Sequence, residues 1–223
     1  MHFFSARSVE LPPALRESLA RYRYEVFVQR LGWALPARCN REQDEFDRGD
    51  TLQVLAQDDA GSLVGCGRLL PCNAPYMLET VFPHLLDGRA PPRCAGTWEL
   101  SRFAATVPTG GAAPAGRLHA AERLLLHILR LCQALDARTL LAVSTLAVER
   151  LLRRTGLDMS RLGPPRLVGH AAAVGVEIRV NTITLSALAR YETAAPATRS
   201  IPASPHEPPR WSCCMPPSSR QHN

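Results

Sequence analysis

Residues 118–154 read LHAAERLLLHILRLCQALDARTLLAVSTLAVERLLRR, and this stretch decides the fold class. Apolar residues first return every three or four positions, which predicts an amphipathic helix over residues 118–135. The wholly apolar residues 140–143 follow, as in a central strand that is covered on both faces. A second helix over residues 146–154 should end at Gly156, because glycine suits the left-handed C-terminal cap. This order indicates an α/β chain.

Further elements are expected on both sides of this stretch. In chain order they are a helix over residues 12–32, a loop over 34–50, two hairpin strands over 51–56 and 63–70, an irregular excursion over 71–96 with one short helix near 78–86, a strand over 98–104, one or two strands within 167–185, and a final helix over 185–191. Together they predict an α/β/α sandwich around a mixed sheet.

Composition indicates a folded domain with a different C-terminal tail. The chain has 223 residues, of which 46% are hydrophobic and 21% charged, close to the average of globular proteins. No apolar run is long enough to span a membrane, and the first residues do not resemble a secretory signal, so a cytoplasmic protein is expected. Residues 194–223 contain 7 Pro and 5 Ser. We therefore expect one domain over residues 1–193 and a disordered tail over 194–223.

The net charge of +6 lies in the second half of the chain. Residues 1–101 carry a net charge of −2, residues 102–193 carry +6 and the last thirty residues +2. This asymmetry predicts an acidic partner for the second half, either a nucleic acid or a negatively charged protein. All 26 basic residues are arginine, so lysine chemistry, such as a Schiff base or a P-loop phosphate contact, is excluded.

Four features have the residue types of a chemical site. Arg23 and Phe27 are four residues apart, on one helix face, with Trp33 shortly after. The acidic loop over residues 42–50 lacks the spacing of a calcium loop. Arg68 lies within an apolar strand, where its charge needs an anionic partner. Taken alone, the first feature also fits a surface arginine beside core aromatics, and the loop also fits solvated turn residues.

The fourth feature is the pair Glu99 and Arg102 in one predicted strand. Side chains of a regular strand alternate between its two faces, so these two should point to opposite sides of the sheet. A β-bulge between them would change that arrangement.

Taken together, these motifs resemble the acyl-homoserine-lactone synthases, the LuxI-type autoinducer synthases of bacteria. The resemblance runs from about residue 3 to residue 190. It rests on the following strings, in this order and at this spacing: RYEVF at 23–27, LGW at 31–33, ExDxxD at 42–47, GCGRLLP at 65–71, PYML at 75–78, VFP at 81–83, WELSRF at 98–103, and the later ERLLRRTG at 149–156 and RLGPP at 161–165.

The resemblance implies a fold similar to the N-acetyltransferases, with a V-shaped cleft between two splayed strands. It implies an enzyme that transfers an acyl chain from acyl carrier protein to the amine of S-adenosylmethionine and then closes a homoserine lactone, releasing methylthioadenosine. S-adenosylmethionine would be a substrate, and neither a cofactor nor a metal is expected. The catalytic positions would be Asp44, Asp47, Arg68, Glu99 and Arg102, and the S-adenosylmethionine site would comprise Arg23, Phe27, Trp33, Glu42, Arg102 and Phe103.

The expected chemistry suits these residue types. The substrate amine must lose a proton before it attacks, and by resemblance Glu99 is the candidate base, with the acidic loop as the alternative. Asp44 and Asp47 suit the cationic sulfonium, which an aromatic ring such as Trp33 can also contact. Arg23 suits the substrate carboxylate, although Arg23 and Arg68 would also suit salt bridges that hold the loop. Backbone N–H groups at the splay would stabilise the oxyanion.

The acyl chain and its carrier would need two further surfaces. Candidate walls for the chain are Leu100, Leu141, Val143, Ser144, Thr145 and Leu146, although each also fits an ordinary core. By resemblance, Ser144 favours a chain without a 3-oxo group. For the acidic carrier protein, the candidate docking residues are Arg150, Arg153 and Arg154, although a solvated helix end explains them too.

Two rival functions are weaker. An N-acyltransferase of the same fold that uses acyl-CoA needs a basic, glycine-spaced loop for pyrophosphate, and residues 110–116 resemble one only superficially because prolines interrupt them. A nucleic-acid-binding module would explain the pI near 9.2, but the chain contains no helix-turn-helix pattern or zinc-ligand spacing. The oligomeric state is open, with a monomer expected.

Overall fold

The computed structural model describes residues 1–106 and 115–190, with the backbone alone described for residues 115–119. In chain order the elements are β1 (His2–Arg7), α1 (Pro13–Arg23), a π-helix (Tyr24–Arg30), β2 (Ala37–Arg38), β3 (Arg41–Glu42), β4 (Leu52–Gln57), β5 (Leu63–Pro71), α2 (Met77–Thr80), a 3-10 helix (Pro83–Leu86), β6 (Thr97–Ala105), α3 (Ala115–Ala134), β7 (Thr139–Thr145), α4 (Leu146–Arg154), β8 (Met159–Arg161), β9 (Arg166–Val168), β10 (Ala171–Arg179) and α5 (Thr182–Ala189). The tail at residues 194–223 and most of residues 110–116 lie outside the described residues.

A mixed sheet forms the centre of the fold. Its strands lie in the order β1-β4-β5-β6-β7-β10-β8, and β9 pairs with β10 beside β8. Strands β6 and β7 run parallel, while the other described neighbours are antiparallel. Pairing between β6 and β7 ends where Leu100 lies opposite Ala142, although both strands continue beyond that point. The sheet is therefore splayed between its two parallel strands.

Helices cover both faces of this sheet. On one face, α3 and α5 close a core that includes Leu124 and Ile128, and each such buried side chain contributes about 1.5–3 kcal/mol. Gly67 of β5 permits this packing, because a Cβ atom there would lie 2.9 Å from Cδ1 of Ile128. On the other face, α1 covers the edge near β4, and the excursion between β5 and β6 packs on Leu70 and Leu141. The predicted α/β/α sandwich is confirmed.

The strongest periodic patterns predicted their elements well. The helix expected over residues 118–135 and the strand over 140–143 correspond to α3 and β7, and the helix over 146–154 matches α4 at both ends. Gly156 follows with φ +85°, as the left-handed cap requires. None of the helices within residues 1–106 and 115–190 is long and apolar enough to cross a membrane.

Other expectations were wrong in detail. Strands β1 and β8 were not predicted, and the loop over residues 34–50 contains the short ribbon of β2 and β3. The short helix near residues 78–86 divides into α2 and a 3-10 helix. The last helix begins at Thr182 rather than at residue 185, because the Asn181 side chain accepts a hydrogen bond from the backbone N–H of Thr184 and caps it.

Candidate active site

A β-bulge in β6 decides which side chains meet. Cys66 pairs with Ala104 and Arg68 with Ser101, so that Arg102 and residue 103 together lie opposite Gly67. Arg102 has φ +51°, in the left-handed region, which is typical of the first residue of one bulge class. The regular alternation that placed Glu99 and Arg102 on opposite faces is therefore wrong here. Both side chains reach the face of the sheet on which α1 and α2 lie.

Three arginines and three carboxylates form a closed ring on this face, which we call the charge ring. Each arginine contacts two carboxylates, and each carboxylate contacts two arginines. The ring runs from Arg23 to Glu42 (2.5 Å), Glu42 to Arg102 (2.9 Å), Arg102 to Asp44 (2.7 Å), Asp44 to Arg68 (2.5 Å), Arg68 to Asp47 (3.1 Å) and Asp47 back to Arg23 (2.6 Å).

The charge ring fastens the acidic loop to the rest of the fold. Its six side chains are between 0% and 6% exposed, and their formal charges cancel. They connect α1, the loop, β5 and β6. Buried charges are tolerated only when they are paired and hydrogen-bonded, and a closed alternating ring meets that requirement. Of the two roles open for Arg23 and Arg68, salt bridging to the loop is the one that the geometry shows.

The ring shifts the ionisation of its members. Burial opposes ionisation of Asp47, but the neighbouring Arg23 and Arg68 outweigh it and hold the pKa of that carboxyl well below its usual value. Burial likewise opposes the charge of Arg23, and Asp47 and Glu42 outweigh it, so the pKa of Arg23 lies above the usual arginine value. Asp47 is therefore a weak base.

Glu99 is a carboxylate of the opposite kind. It is 1% exposed and lies outside the charge ring. Its Oε2 accepts the backbone N–H of Met77 at 2.7 Å, and its Oε1 accepts that of Leu78 at 2.6 Å. Burial raises the pKa of Glu99 to about 7, although these two hydrogen bonds and the charge of Arg68 oppose the rise. A carboxylate with this pKa is suited to accept and release a proton near neutral pH.

The guanidinium of Arg102 keeps one weakly bonded group. Its Nε and Nη2 donate to Glu42 and Asp44, whereas among the described residues Nη1 has one acceptor, the sulfur of Met77 at 3.8 Å. Arg68 differs, because its Nε donates to Ser101 and its two amino groups to Asp44 and the same sulfur. Arg102 Nη1 is therefore the better placed donor for an added anion.

The two candidate aromatic residues have different environments. Phe27, in the π-helix, is 1% exposed, and Trp33 is 43% exposed. Their rings stack with centroids 5.0 Å apart, and the guanidinium carbon of Arg102 lies 5.8 Å from the centroid of Phe27. Phe27 thus supports Arg102 and Trp33, while Trp33 has an aromatic surface left for a ligand. Phe103 lies elsewhere, packed against the core beneath α3.

The expected acyl-chain residues surround the splay without forming one wall. Leu100 belongs to the core beneath α3, whereas Leu141 belongs to the core on the opposite face, with Val143 packed against it. Ser144 is 9% exposed. Thr145 caps α4 by accepting the N–H of Val148, and Leu146 begins that helix. A chain that contacted both Leu100 and Leu141 would have to pass between β6 and β7.

The three expected docking arginines lie on the exposed side of α4. Arg153 is tied to Glu149, which also accepts two hydrogen bonds from Arg161. Within the described part of the chain, Arg150 and Arg154 are exposed and have no ion pair. We call Arg150, Arg153, Arg154 and Arg161 the α4 basic patch.

Sequence reasoning missed several supporting residues. The ring of Phe46 lies under the guanidinium of Arg68, and its centroid is 5.7 Å from Cζ of Arg68. The side-chain amide of Gln53 donates a hydrogen bond to Asp47. A cleft of about 320 Å³ borders the ring beside α1 and includes Arg16 and Gln53 in its lining. The PYML motif was the available signal for Met77, but nothing in the sequence indicates its contacts with the arginines.

Comparisons with known proteins identify the family of this chain. A sequence model described as autoinducer synthase matches residues 10–188. An acyl-homoserine-lactone synthase from Ralstonia solanacearum is 42% identical over 182 residues, which cover 80% of this chain and 88% of the relative. The crystal structure of TofI with an inhibitor and MTA has 38% identity and a TM-score of 0.75, covering 85% of this chain and 97% of TofI.

A further solved structure extends the comparison. BjaI, a CoA-dependent acyl-homoserine lactone synthase solved with SAM and isopentyl-CoA, has 26% identity and a TM-score of 0.75, covering 87% of this chain and 90% of BjaI. The matched range of the family model, residues 10–188, includes the residues of the charge ring and Glu99. The chain belongs to the autoinducer synthase family, the acyltransferases that include the acyl-homoserine-lactone synthases.

Proposed function

We propose that this acyl-homoserine-lactone synthase transfers an acyl chain from acyl carrier protein to S-adenosylmethionine and then closes the lactone. The observation that carries the proposal is Glu99, a buried carboxylate with a pKa raised to about 7 by burial, next to the charge ring. The solved relatives bound to MTA and to SAM support the same substrate. Neither step of the proposed reaction requires a metal or a cofactor.

The charge ring and Glu99 would prepare S-adenosylmethionine for reaction. Glu99 takes a proton from the α-ammonium group, directly or through water, and leaves a neutral amine with a free electron pair. Nη1 of Arg102 binds the substrate carboxylate, because its other donors are already committed to the ring. The exposed face of Trp33 contacts the sulfonium end, an attraction of about 0.5–2 kcal/mol.

Acyl transfer would then take place where β6 and β7 diverge. The amine attacks the thioester carbonyl, a C–N bond forms, and the oxyanion is stabilised by backbone N–H groups beyond Leu100 that β7 does not pair. The C–S bond breaks, and the proton that the attacking nitrogen loses on forming the amide goes to the leaving sulfur, which departs as a thiol. In the second step a carboxylate oxygen attacks the γ-carbon and displaces neutral methylthioadenosine, so that the lactone ring closes.

The α4 basic patch supports acyl carrier protein as the donor. Acyl carrier protein is strongly acidic, and the patch presents exposed guanidinium groups on the helix that follows β7. Acyl-CoA is the second candidate donor, because BjaI of similar fold is CoA-dependent. Charge changes on α4 should affect the reaction with a folded acidic carrier protein more than the reaction with acyl-CoA.

A mass-spectrometric assay tests the proposal. The purified protein is incubated with S-adenosylmethionine and acyl-carrier-protein thioesters of four to twelve carbons, and with the matching acyl-CoA series. We expect acyl-homoserine lactone and methylthioadenosine in equal amounts, with higher kcat/KM for the carrier thioesters. A folded protein that forms no lactone from any donor contradicts the proposed function, and higher kcat/KM with acyl-CoA contradicts the choice of donor.

Charge reversal on α4 should distinguish the two donors. We expect R150E/R154E to lower kcat/KM for acyl carrier protein thioesters by about tenfold, because opposing charge slows encounter with an acidic partner. The kcat/KM for acyl-CoA should change less than twofold, and the loss should shrink as salt is added. R138E/R179E is the matched control with the same change in charge, since Arg138 and Arg179 are exposed where β7 begins and β10 ends. Equal losses in the two double variants would contradict docking at α4.

A further inference from the structure

The side chain of Met77 has an unusual environment for a thioether. It is 9% exposed and begins α2, inside the excursion between β5 and β6. Its sulfur accepts a hydrogen bond from Nη2 of Arg68 at 3.1 Å and from Nη1 of Arg102 at 3.8 Å. Its backbone N–H donates to Glu99 at 2.7 Å. One residue thus contacts two arginines of the charge ring and also the carboxylate outside it.

These contacts complete the hydrogen bonding of Arg68. A guanidinium has five N–H groups, and in Arg68 the other four point to Ser101, Asp44 and Asp47. In Arg102 the sulfur contacts the one amino group that the ring leaves without an oxygen partner. Sulfur is a weak acceptor, so it can orient this amino group and still yield it to a substrate carboxylate, which binds a guanidinium more strongly.

We propose that the thioether of Met77 is a positioning group that holds Arg68 and the Nη1 amino group of Arg102 at a fixed orientation relative to Glu99. The proposal rests on the proposed function, since it assigns Arg102 Nη1 to the carboxylate of S-adenosylmethionine. It assigns to Met77 a role that differs from filling space. An apolar side chain of the same size would fill the same volume, but it would remove the acceptor that now faces Nη2 of Arg68 and Nη1 of Arg102.

Two substitutions separate these roles. Leucine is close to methionine in volume, so M77L keeps the packing and removes the acceptor. Glutamine has a similar length and supplies a carbonyl oxygen as acceptor, so M77Q keeps the acceptor at the expense of apolar packing. M159L is the matched control, because Met159 packs against the core beneath α3, away from the charge ring. The readouts are the melting temperature and the separate KM values for S-adenosylmethionine and the acyl donor.

We expect M77L to lower kcat/KM for S-adenosylmethionine by about fivefold to tenfold, through a raised KM for that substrate, with the KM for the acyl donor unchanged. M77Q should retain higher kcat/KM than M77L despite a lower melting temperature, and M159L should match the wild type. If M77L is as active as M77Q or more so, packing explains Met77 and the proposal is overturned. Absence of lactone formation by the wild type and by M159L would instead contradict the proposed function.

Discussion

E99Q is expected to lower kcat by about 10²-fold to 10⁴-fold, the usual contribution of a positioned general base. Glutamine keeps the shape of the side chain, and its carbonyl oxygen still accepts one of the two backbone N–H groups that now bind Glu99. It cannot accept a proton from the substrate amine. Single-turnover measurements of lactone formation with saturating S-adenosylmethionine and acyl donor would show the loss directly.

The pH dependence of the reaction checks the same assignment. Glu99 must be deprotonated to accept a proton, and burial raises its pKa to about 7. The rate of the wild type should therefore rise with pH through about 7 and then level off, whereas E99Q should lack this rise. E177Q is the control, because Glu177 is a partly exposed glutamate on β10. Full turnover in E99Q, or an unchanged pH profile, would contradict the role of Glu99.

The acidic loop is the alternative source of a base, and its surroundings argue against it. Asp47 contacts Arg23 and Arg68, which hold its pKa well below the usual range. Such a carboxylate stays ionised and has little affinity for a proton at neutral pH. Glu99 forms no side-chain ion pair with the residues that the structure describes, and burial raises its pKa. Opposite shifts of this kind separate carboxylates that accept protons from those that supply fixed charge.

The sequence predicted those elements whose residues carry their own periodic signal. Helices α3 and α4 and strand β7 have long apolar patterns or wholly apolar runs, and their positions follow from these. Strand β1 was missed because it is an edge strand that buries only Phe4 and Ala6. The π-helix was also missed, since its residues continue the apolar spacing of α1 and nothing in that spacing distinguishes the two helix types.

The arrangement of the site depends on contacts that a linear sequence does not encode. The resemblance identified every member of the charge ring by position, but not which arginine meets which carboxylate. Which carboxylates Arg102 meets follows from the β-bulge at that residue. The bulge lies opposite Gly67, where the pairing register between β5 and β6 shifts by one residue. The role of Glu99 likewise depends on Met77 and Leu78, which arrive from an irregular excursion.

D47N is expected to destabilise the fold by about 3 kcal/mol at pH 7, as breaking a buried ion pair typically does. Asp47 is the member of the charge ring that contacts Arg23 through both of its oxygens. Asparagine fits the same space, but it leaves Arg23 with Glu42 as its one anionic partner and weakens the hold on Arg68. Urea unfolding of the wild type and the variant at pH 7 would measure the difference in the free energy of unfolding.

The effect of D47N should shrink in acid. The pKa of Asp47 is lowered in the folded state, so its ionisation stabilises the fold above the unfolded pKa of about 3.9 and this contribution is lost as pH falls. Below that pKa the wild type should lose about 1.4 kcal/mol per pH unit from this group, and D47N should not. The two unfolding free energies should therefore approach each other between pH 5 and pH 3.

D50N provides the comparison within the same loop, because Asp50 has a half-exposed side chain whose one ion pair in the described part of the chain is with Arg48, at 3.4 Å. Exposed pairs contribute about 0–1 kcal/mol, so the free energy of unfolding of D50N should be close to that of the wild type at neutral and at acidic pH. A loss in D47N no larger than in D50N would mean that the charge ring does not hold the loop. A large loss that stayed constant down to pH 3 would mean that the side chain acts through its shape, because ionisation of Asp47 would make the difference between the two proteins depend on pH.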